Sequence, residues 1–402
     1  MKKTIRRTII IAMIIMIAFF INVYAIDKNE TNNNKEYIRA YFCSQITKNY
    51  NNGDCILLEK CNSNGEKYYG LIDAGRESTD KETVKEFIEA HGVTELEFLI
   101  VTHQHADHNG SVVALLESEN LTIKTIYMKE FDKQWSNGGG QVTYENIIKG
   151  SIEKNIKIIG VSTESLKSNK ISPQMSEEFK KYIENVKEET LKNLFIGFNE
   201  NNTKFTFGGE NTKIQIFNWE IFYETDYETG EKVRATVDDE NDVSLGVLIK
   251  QGNSKKAFFA GDMNNYDGDE DRLKEKIGDV DFLKLGHHGY EGSNTNNIVD
   301  KNNPNEKGYL DTLKPEYAII TNDIGSCAMD TLEWLDNNNV NYLYSSNDDK
   351  DVSVTITSDE VYLGFGSKGY KNVSKGIYYI NSILKKMKMA MFNLDRMESR
   401  LL

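Results

Sequence analysis

From residue 38 onward, short apolar runs of strand length alternate with amphipathic stretches. Segments 38–43, 55–59 and 68–72 read as strands joined hairpin-fashion. A helix is predicted to open at Asp80, to place Val84, Phe87, Ile88 and His91 on one face, and to stop at Gly92. The run 97–102 reads as a buried strand, 111–119 as the helix after it, and 123–128 as the next strand. Over about 130–210 the pattern breaks. Trp135 precedes Gly138-Gly139-Gly140, and charged helical stretches follow, notably 176–194, so this region is read as a helical insertion. Strand patterns return at 213–218, 244–250, 256–260, 282–285, 317–321, 352–356 and 361–365, with helices expected over 267–276 and 330–337. Two successive halves, each of strands plus helices, predict an α/β fold of two sheets packed face to face with helices outside.

The ends read differently. Lys2, Lys3, Arg6 and Arg7 precede an apolar run over 8–23, and Val23-Tyr24-Ala25 has the small-x-Ala form of a cleavage site. Residues 1–25 are therefore expected to be a signal peptide. An uncleaved anchor is the alternative, because the run is long for a signal core and short for a membrane span. No cysteine follows it, so no lipoprotein anchor is expected. Either form places the folded part outside the cytoplasmic membrane, secreted or held close to membrane and cell wall. The folded domain is expected over 36–370, followed by a Met- and Lys-rich helical tail over 371–402.

Charge and cysteines narrow the partners. The formal charge is −14, and loss of the four leader cations takes it to −18. Such an acid excess argues against non-specific nucleic-acid binding and suits a neutral or cationic headgroup. Export permits disulfides, and Cys43 could pair with Cys55 or Cys61 across neighbouring strands. Buried free thiols are the plainer expectation for these three and Cys327. None is spaced as a zinc thiolate pair.

Five of the six histidines fall in two short segments, His103-Gln104-His105-Ala106-Asp107-His108 and Gly286-His287-His288-Gly289. Imidazole and carboxylate are the usual donors for a borderline metal such as zinc, and manganese or iron also accept them. Each segment ends an apolar run, as does Gly261-Asp262. One ion is expected on His103 and His105 and a second on Asp107 and His108, with Asp262 bridging and His287 and His288 supplying further imidazoles. Two ions about 3.5–4 Å apart lower the pKa of a bound water toward 7, so no serine or cysteine nucleophile is needed. Asp107 and His288 are the candidate catalytic residues; whichever of His287 and His288 is not a ligand could protonate the leaving oxygen. Asp73, at the end of Gly70-Leu71-Ile72, is expected to hold an imidazole in orientation. His91 is expected to pack at a helix end instead.

Taken together, Leu71-Ile72-Asp73-Ala74-Gly75, the HQHADH segment, Gly261-Asp262 and the GHHG segment resemble the metallo-β-lactamase superfamily, over about residues 38–365. The resemblance implies a four-layer αββα sandwich with the site at the sheet edge. That family often carries an isolated histidine between its second and fourth motifs, and this chain has none from 109 to 286. A third donor to the first ion is then implied from the His287-His288 pair or from a non-histidine group. Two branches look similar. Gly53-Asp54-Cys55-Ile56-Leu57-Leu58 and Lys284-Leu285-Gly286-His287-His288-Gly289 resemble the nuclease-like domain of competence DNA-uptake channels. Asp238-Asp239-Glu240-Asn241-Asp242 and Gly261-Asp262-Met263-Asn264-Asn265 resemble the teichoic-acid phosphorylcholine esterase, whose choline-binding repeats are lacking here.

The expectation is thus a secreted two-zinc phosphodiesterase or phosphoesterase acting on a cell-envelope or extracellular phosphoester such as phosphorylcholine. Asp238, Asp239 and Asn241 are candidates for substrate contact, with Trp135 and Trp219 as aromatic faces for a quaternary ammonium. An extracellular nuclease and a non-catalytic metal-binding module are the alternatives.

Overall fold

A computed structural model of the chain describes residues 36–47, 52–131, 140–167, 175–220, 223–225, 230, 232–234, 239–295, 307–347, 351–366 and 368–369. The expected leader, the expected tail, Trp135 and Asp238 lie outside the described residues.

Two large sheets form the frame. The first runs, in spatial order, through Lys368–Gly369, Val361–Phe365, Val352–Thr357, Tyr37–Phe42, Ile56–Cys61, Lys67–Ile72, Phe98–Ile100, Thr125–Tyr127, Lys157–Ile159 and Phe195–Ile196. The second runs through Lys204–Thr206, Thr212–Phe217, Gly246–Gln251, Lys255–Phe259, Phe282–Lys284, Tyr317–Ile320 and Asn341–Tyr344. Each begins antiparallel and turns parallel partway: the first from Lys67–Ile72 onward, the second from Lys255–Phe259 onward. The two halves therefore share one plan.

Side-chain alternation with period two builds the layers. Ile38, Ala40 and Phe42 face the second sheet with Ile56 and Leu58, while Tyr41 and Leu57 face the other way. The register seals this, with Ala40 opposite Leu58 and Val354. The second sheet contributes Ile214, Val247, Phe259 and Phe282 to the same inter-sheet core. Outside the first sheet, Val84, Phe87, Val112, Leu115 and Ile147 cover Leu57, Leu71 and Leu99. Outside the second, Leu273, Ile277, Leu310 and Leu335 cover Leu248, Phe258 and Leu283. The result is the expected four-layer αββα sandwich. Each fully buried Leu, Ile or Phe contributes roughly 1.5–3 kcal/mol, so apolar burial rather than the polar site stabilises the fold.

Three details refine the expectations. The first helix spans Glu77–Ala90 and starts earlier than Asp80, because the Asp80 carboxylate accepts the backbone N–H of Arg76 at 2.8 Å and secures the turn before it. His91 ends that helix, with Nδ1 2.8 Å from the Phe87 carbonyl oxygen and its ring against Tyr41 and Phe87. The 130–210 region carries helices Gly140–Lys154, Thr163–Lys167, Glu177–Asn185 and Glu188–Leu194, and also extends the first sheet by the parallel strands Lys157–Ile159 and Phe195–Ile196. Cys43, Cys55, Cys61 and Cys327 are free thiols. Among the described residues, no helix is long and apolar enough to cross a membrane.

Candidate metal centre

Where both sheets run parallel, neighbouring strands end at the same edge, and the polar residues just beyond those ends meet. Asp73 follows Lys67–Ile72, His103 follows Phe98–Ile100, Asp262 follows Lys255–Phe259, His287 and His288 follow Phe282–Lys284, and Thr321 follows Tyr317–Ile320. The first sheet therefore supplies one wall of the site and the second sheet the other.

Asp262 lies at the centre. Its Oδ2 is 3.1 Å from His108 Nε2, 3.2 Å from His288 Nε2 and 3.9 Å from His103 Nε2. Gly261 makes that position accessible: its φ is +55°, and a Cβ there would lie 2.5 Å from Ser244 Oγ and 2.9 Å from the Leu245 carbonyl oxygen. Ser244 Oγ accepts the backbone N–H of Asp262 at 2.9 Å.

Each of the three imidazoles is held through Nδ1, which leaves Nε2 facing inward. His108 Nδ1 is 2.8 Å from Asp73 Oδ2. His103 Nδ1 is 3.1 Å from Thr102 Oγ1, whose hydroxyl donates to Asp73 Oδ2 at 2.7 Å. His288 Nδ1 is 3.0 Å from Thr321 Oγ1. Asp73 thus stands where an orienting carboxylate was expected.

Among the described residues four donor triads lie within mutual reach: His103 with His108 and Asp262, Asp107 with His108 and His288, Asp54 with Asp73 and His108, and Asp54 with Asp262 and His288. His108 belongs to three of them, and the His103 ring also lies 4.7 Å from that of His105. His288 Nε2 lies 3.8 Å from Asp107 Oδ2, bringing the GHHG turn to the HQHADH segment. His105 caps the short helix Ala106–Asn109 and turns outward, with Nε2 3.2 Å from Asp239 Oδ1. Asp239 is thus the carboxylate nearest His105, on the side where the sequence provides no histidine. His287 Nε2 faces Asn241 Nδ2 at 3.3 Å. Asn241 is buried and directed toward His287. Trp219, read from sequence as an aromatic face for substrate, packs against the inter-sheet core instead.

Sequence reasoning assigned no site role to Asp54 or Lys284. Lys284 is fully buried; it pairs with Asp54, donates to the Gly261 carbonyl oxygen at 2.8 Å and lies 3.7 Å from Asp262 Oδ1. Asp54 is also buried, 3.6 Å from His288 Nδ1 and 4.0 Å from His108 Nδ1. The signal for this pair was a lysine inside the apolar run Phe282-Leu283-Lys284-Leu285, since a charge at such a place needs a buried partner. Behind the GHHG turn, Glu270 accepts the backbone N–H groups of Asn294 and Thr295. Asn294 Oδ1 in turn accepts the N–H of Gly286 at 2.8 Å.

Burial and the neighbouring imidazoles hold His103 well below the ordinary histidine range, so its ring is neutral with Nε2 available. Burial opposes ionisation of Asp262, but His108 and His288 outweigh it and hold the carboxyl well below its usual range. Burial likewise opposes the Lys284 ammonium, and Asp54 and Asp262 outweigh it, so the lysine is charged. His103 Nε2, Asp262 Oδ1 and His287 Nδ1 are buried without a hydrogen-bond partner. Buried polar atoms are almost always satisfied, and neutral imidazole with ionised carboxylate is the donor chemistry of a divalent cation. The residues present therefore fit a metal centre.

Residues 50–167 match the family model described as the metallo-beta-lactamase superfamily. Among solved structures, a motif mutant of a metallo-beta-lactamase from Cronobacter sakazakii is similar at 10% identity and a TM-score of 0.30, over 61% of this chain and 75% of that one. An isothiocyanate hydrolase from Delia radicum gut bacteria is similar at 11% identity and a TM-score of 0.34, over 80% of this chain and 99% of that one. No curated protein matches the chain. The family model thus covers the HQHADH segment, while the four-layer sandwich and the converged histidine–aspartate cluster draw on both halves of the chain.

Proposed function

We propose that this chain is a metal-dependent hydrolase holding two zinc ions, and that it cleaves a phosphoester of the phosphorylcholine type outside the cytoplasmic membrane. The observation that carries this reading is the meeting of three imidazole Nε2 atoms from both halves of the fold around one Asp262 oxygen, at 3.1, 3.2 and 3.9 Å. His108 offers a single nitrogen and would serve one ion only, so Asp107, His108 and His288 would hold one ion, and His103 and Asp262, with His105 and Asp239 beside them, the other. Zinc suits this set, and manganese or iron could share it.

Divalent ions bound there supply Lewis acidity and an activated water. The chain's own residues do the rest. Asp73 and Thr102 fix the tautomers of His108 and His103, so that both present Nε2 to the site. Asp107 belongs to the donor set and also faces Arg76, at 3.4 Å. His288 is fully buried among the donors, whereas His287 is only partly buried as a residue and its Nδ1 is unpartnered. Of the two histidines weighed as proton donors, His287 is the one outside the donor triads. Asn241 orients that ring through Nε2.

The test uses the full chain loaded with zinc against p-nitrophenyl phosphorylcholine, bis-p-nitrophenyl phosphate and single-stranded DNA. Turnover of the first is expected, together with its loss in His105→Ala. Preferred cleavage of DNA would make the protein a nuclease. A metal-free wild type, or a fully active His105→Ala variant, would remove the enzyme reading. Cell fractionation with sequencing of the mature N-terminus checks the location.

A further inference from the structure

The donor cluster is rich in carboxylates, and among the described residues two cations pair with them: Lys284 and Arg76. Lys284 is fully buried and committed to Asp54 and Gly261, so it does not reach a substrate. Arg76 is placed differently. Its backbone is clamped on both sides, the N–H by Asp80 Oδ2 at 2.8 Å and the carbonyl by Ser111 Oγ at 3.0 Å. Its guanidinium reaches over to the rim, where one nitrogen lies 3.0 Å from Asn52 Oδ1 and 3.4 Å from Asp107 Oδ2.

That ion pair is loose beside the roughly 2.7–2.9 Å of a good charge-assisted bond. The Arg76 side chain is also 37% exposed. A pair of this kind contributes little to stability, so fold maintenance does not account for it. Nε, meanwhile, is buried and has no hydrogen-bond partner. A guanidinium is a planar fork whose adjacent N–H groups match two oxygens of a phosphate or carboxylate. Here the contacts to Asn52 and Asp107 engage a single nitrogen, Nη2, and Nε has no partner. A chain with a formal charge of −14 also needs a local cation to receive an anion.

We propose that Arg76 is the anion-recognition residue of this site, a fork that holds the oxygens of a phosphoryl group beside Asp107. The inference rests on reading the cluster as a hydrolase centre and narrows its substrates to those with an anionic group at the reacting atom. Asn52 holds the guanidinium in place, and the clamped backbone sets its reach.

The probe is inorganic phosphate, titrated calorimetrically into the zinc-loaded full chain and used as a competitive inhibitor of bis-p-nitrophenyl phosphate hydrolysis. Loss of the fork in Arg76→Ala is expected to weaken phosphate binding roughly tenfold or more, with metal content and melting temperature retained. KM should rise more than kcat falls, and Arg76→Lys should restore part of the affinity. The inference is overturned if wild type binds no phosphate, if Arg76→Ala binds it as wild type does, or if the variant loses its ions. A protein that binds phosphate through Arg76 yet cleaves no phosphoester keeps this inference and removes the phosphoesterase reading. One that cleaves phosphoesters with an unchanged KM in Arg76→Ala does the reverse.

Discussion

The Asp73 carboxylate accepts from His108 Nδ1 at 2.8 Å and from the Thr102 hydroxyl at 2.7 Å, and that hydroxyl lies 3.1 Å from His103 Nδ1. One buried acid therefore sets the orientation of two imidazoles, one directly and one through a threonine. Asp73→Asn can keep the shape but not the charge-assisted acceptor. Its zinc affinity should fall about 10- to 100-fold, read by competition with a chromogenic chelator. Wild-type affinity in the variant would show that the imidazoles are oriented by something else.

Asp262 faces all three inward-pointing imidazoles, so its removal should cost the cluster at least one ion. Elemental analysis of Asp262→Ala is expected to show reduced metal per chain, with hydrolysis falling to the limit of detection. A variant that retains the wild-type metal content would shift the centre away from this carboxylate.

Lys284 and Asp54 form an ion pair in a fully buried setting. Removing one partner leaves the other charge uncompensated. Lys284→Met should therefore lower unfolding free energy by about 3–5 kcal/mol in urea titrations of the metal-free protein. Lys284→Met combined with Asp54→Asn should recover much of that loss. If the double variant is no more stable than the single one, the pair is not the source of the cost.

Burial pushes the Glu270 carboxyl up to about 8, from an ordinary 4.5, against the lowering effect of the Thr295 and Asn294 hydrogen bonds. The folded state thus keeps a proton that the unfolded chain has released. This contribution to stability is complete below about pH 4.5 and is lost as pH rises to about 8. In that window its slope reaches at most about −1.4 kcal/mol per pH unit. Urea midpoints of metal-free wild type should fall more between these limits than those of Glu270→Gln. Parallel curves for the two proteins would assign the pH dependence to other groups.

The fold was legible because its apolar runs are short, strand-like and doubled. Period-two positions such as Ile38, Ala40 and Phe42 declare their buried face in the sequence itself. The histidine segments were legible because each sits directly after such a run. What could not be read was the pairing across the two halves. Sequence spacing places His103 beside His105, and the folded chain keeps them 4.7 Å apart by ring centre, but it also brings His103 to His108 and Asp262 and sets His105 against Asp239. Asp54 and Arg76 were hidden for a different reason: each is an ordinary polar residue in a loop, and only the meeting of strand ends gives it a neighbour. Trp219, weighed as an aromatic face, lies partly buried against the inter-sheet core, the commoner place for a tryptophan.

The donors are divided between early and late stretches of the chain, with His103 and His108 on one sheet's rim and Asp262 and His288 on the other's. A ribosome-bound chain that ends before His288 lacks one of the three imidazoles that face Asp262. Ion capture by the complete cluster must then follow the docking of the second half, so metal retention reports that the chain has passed His288 and that the two sheets have closed on each other.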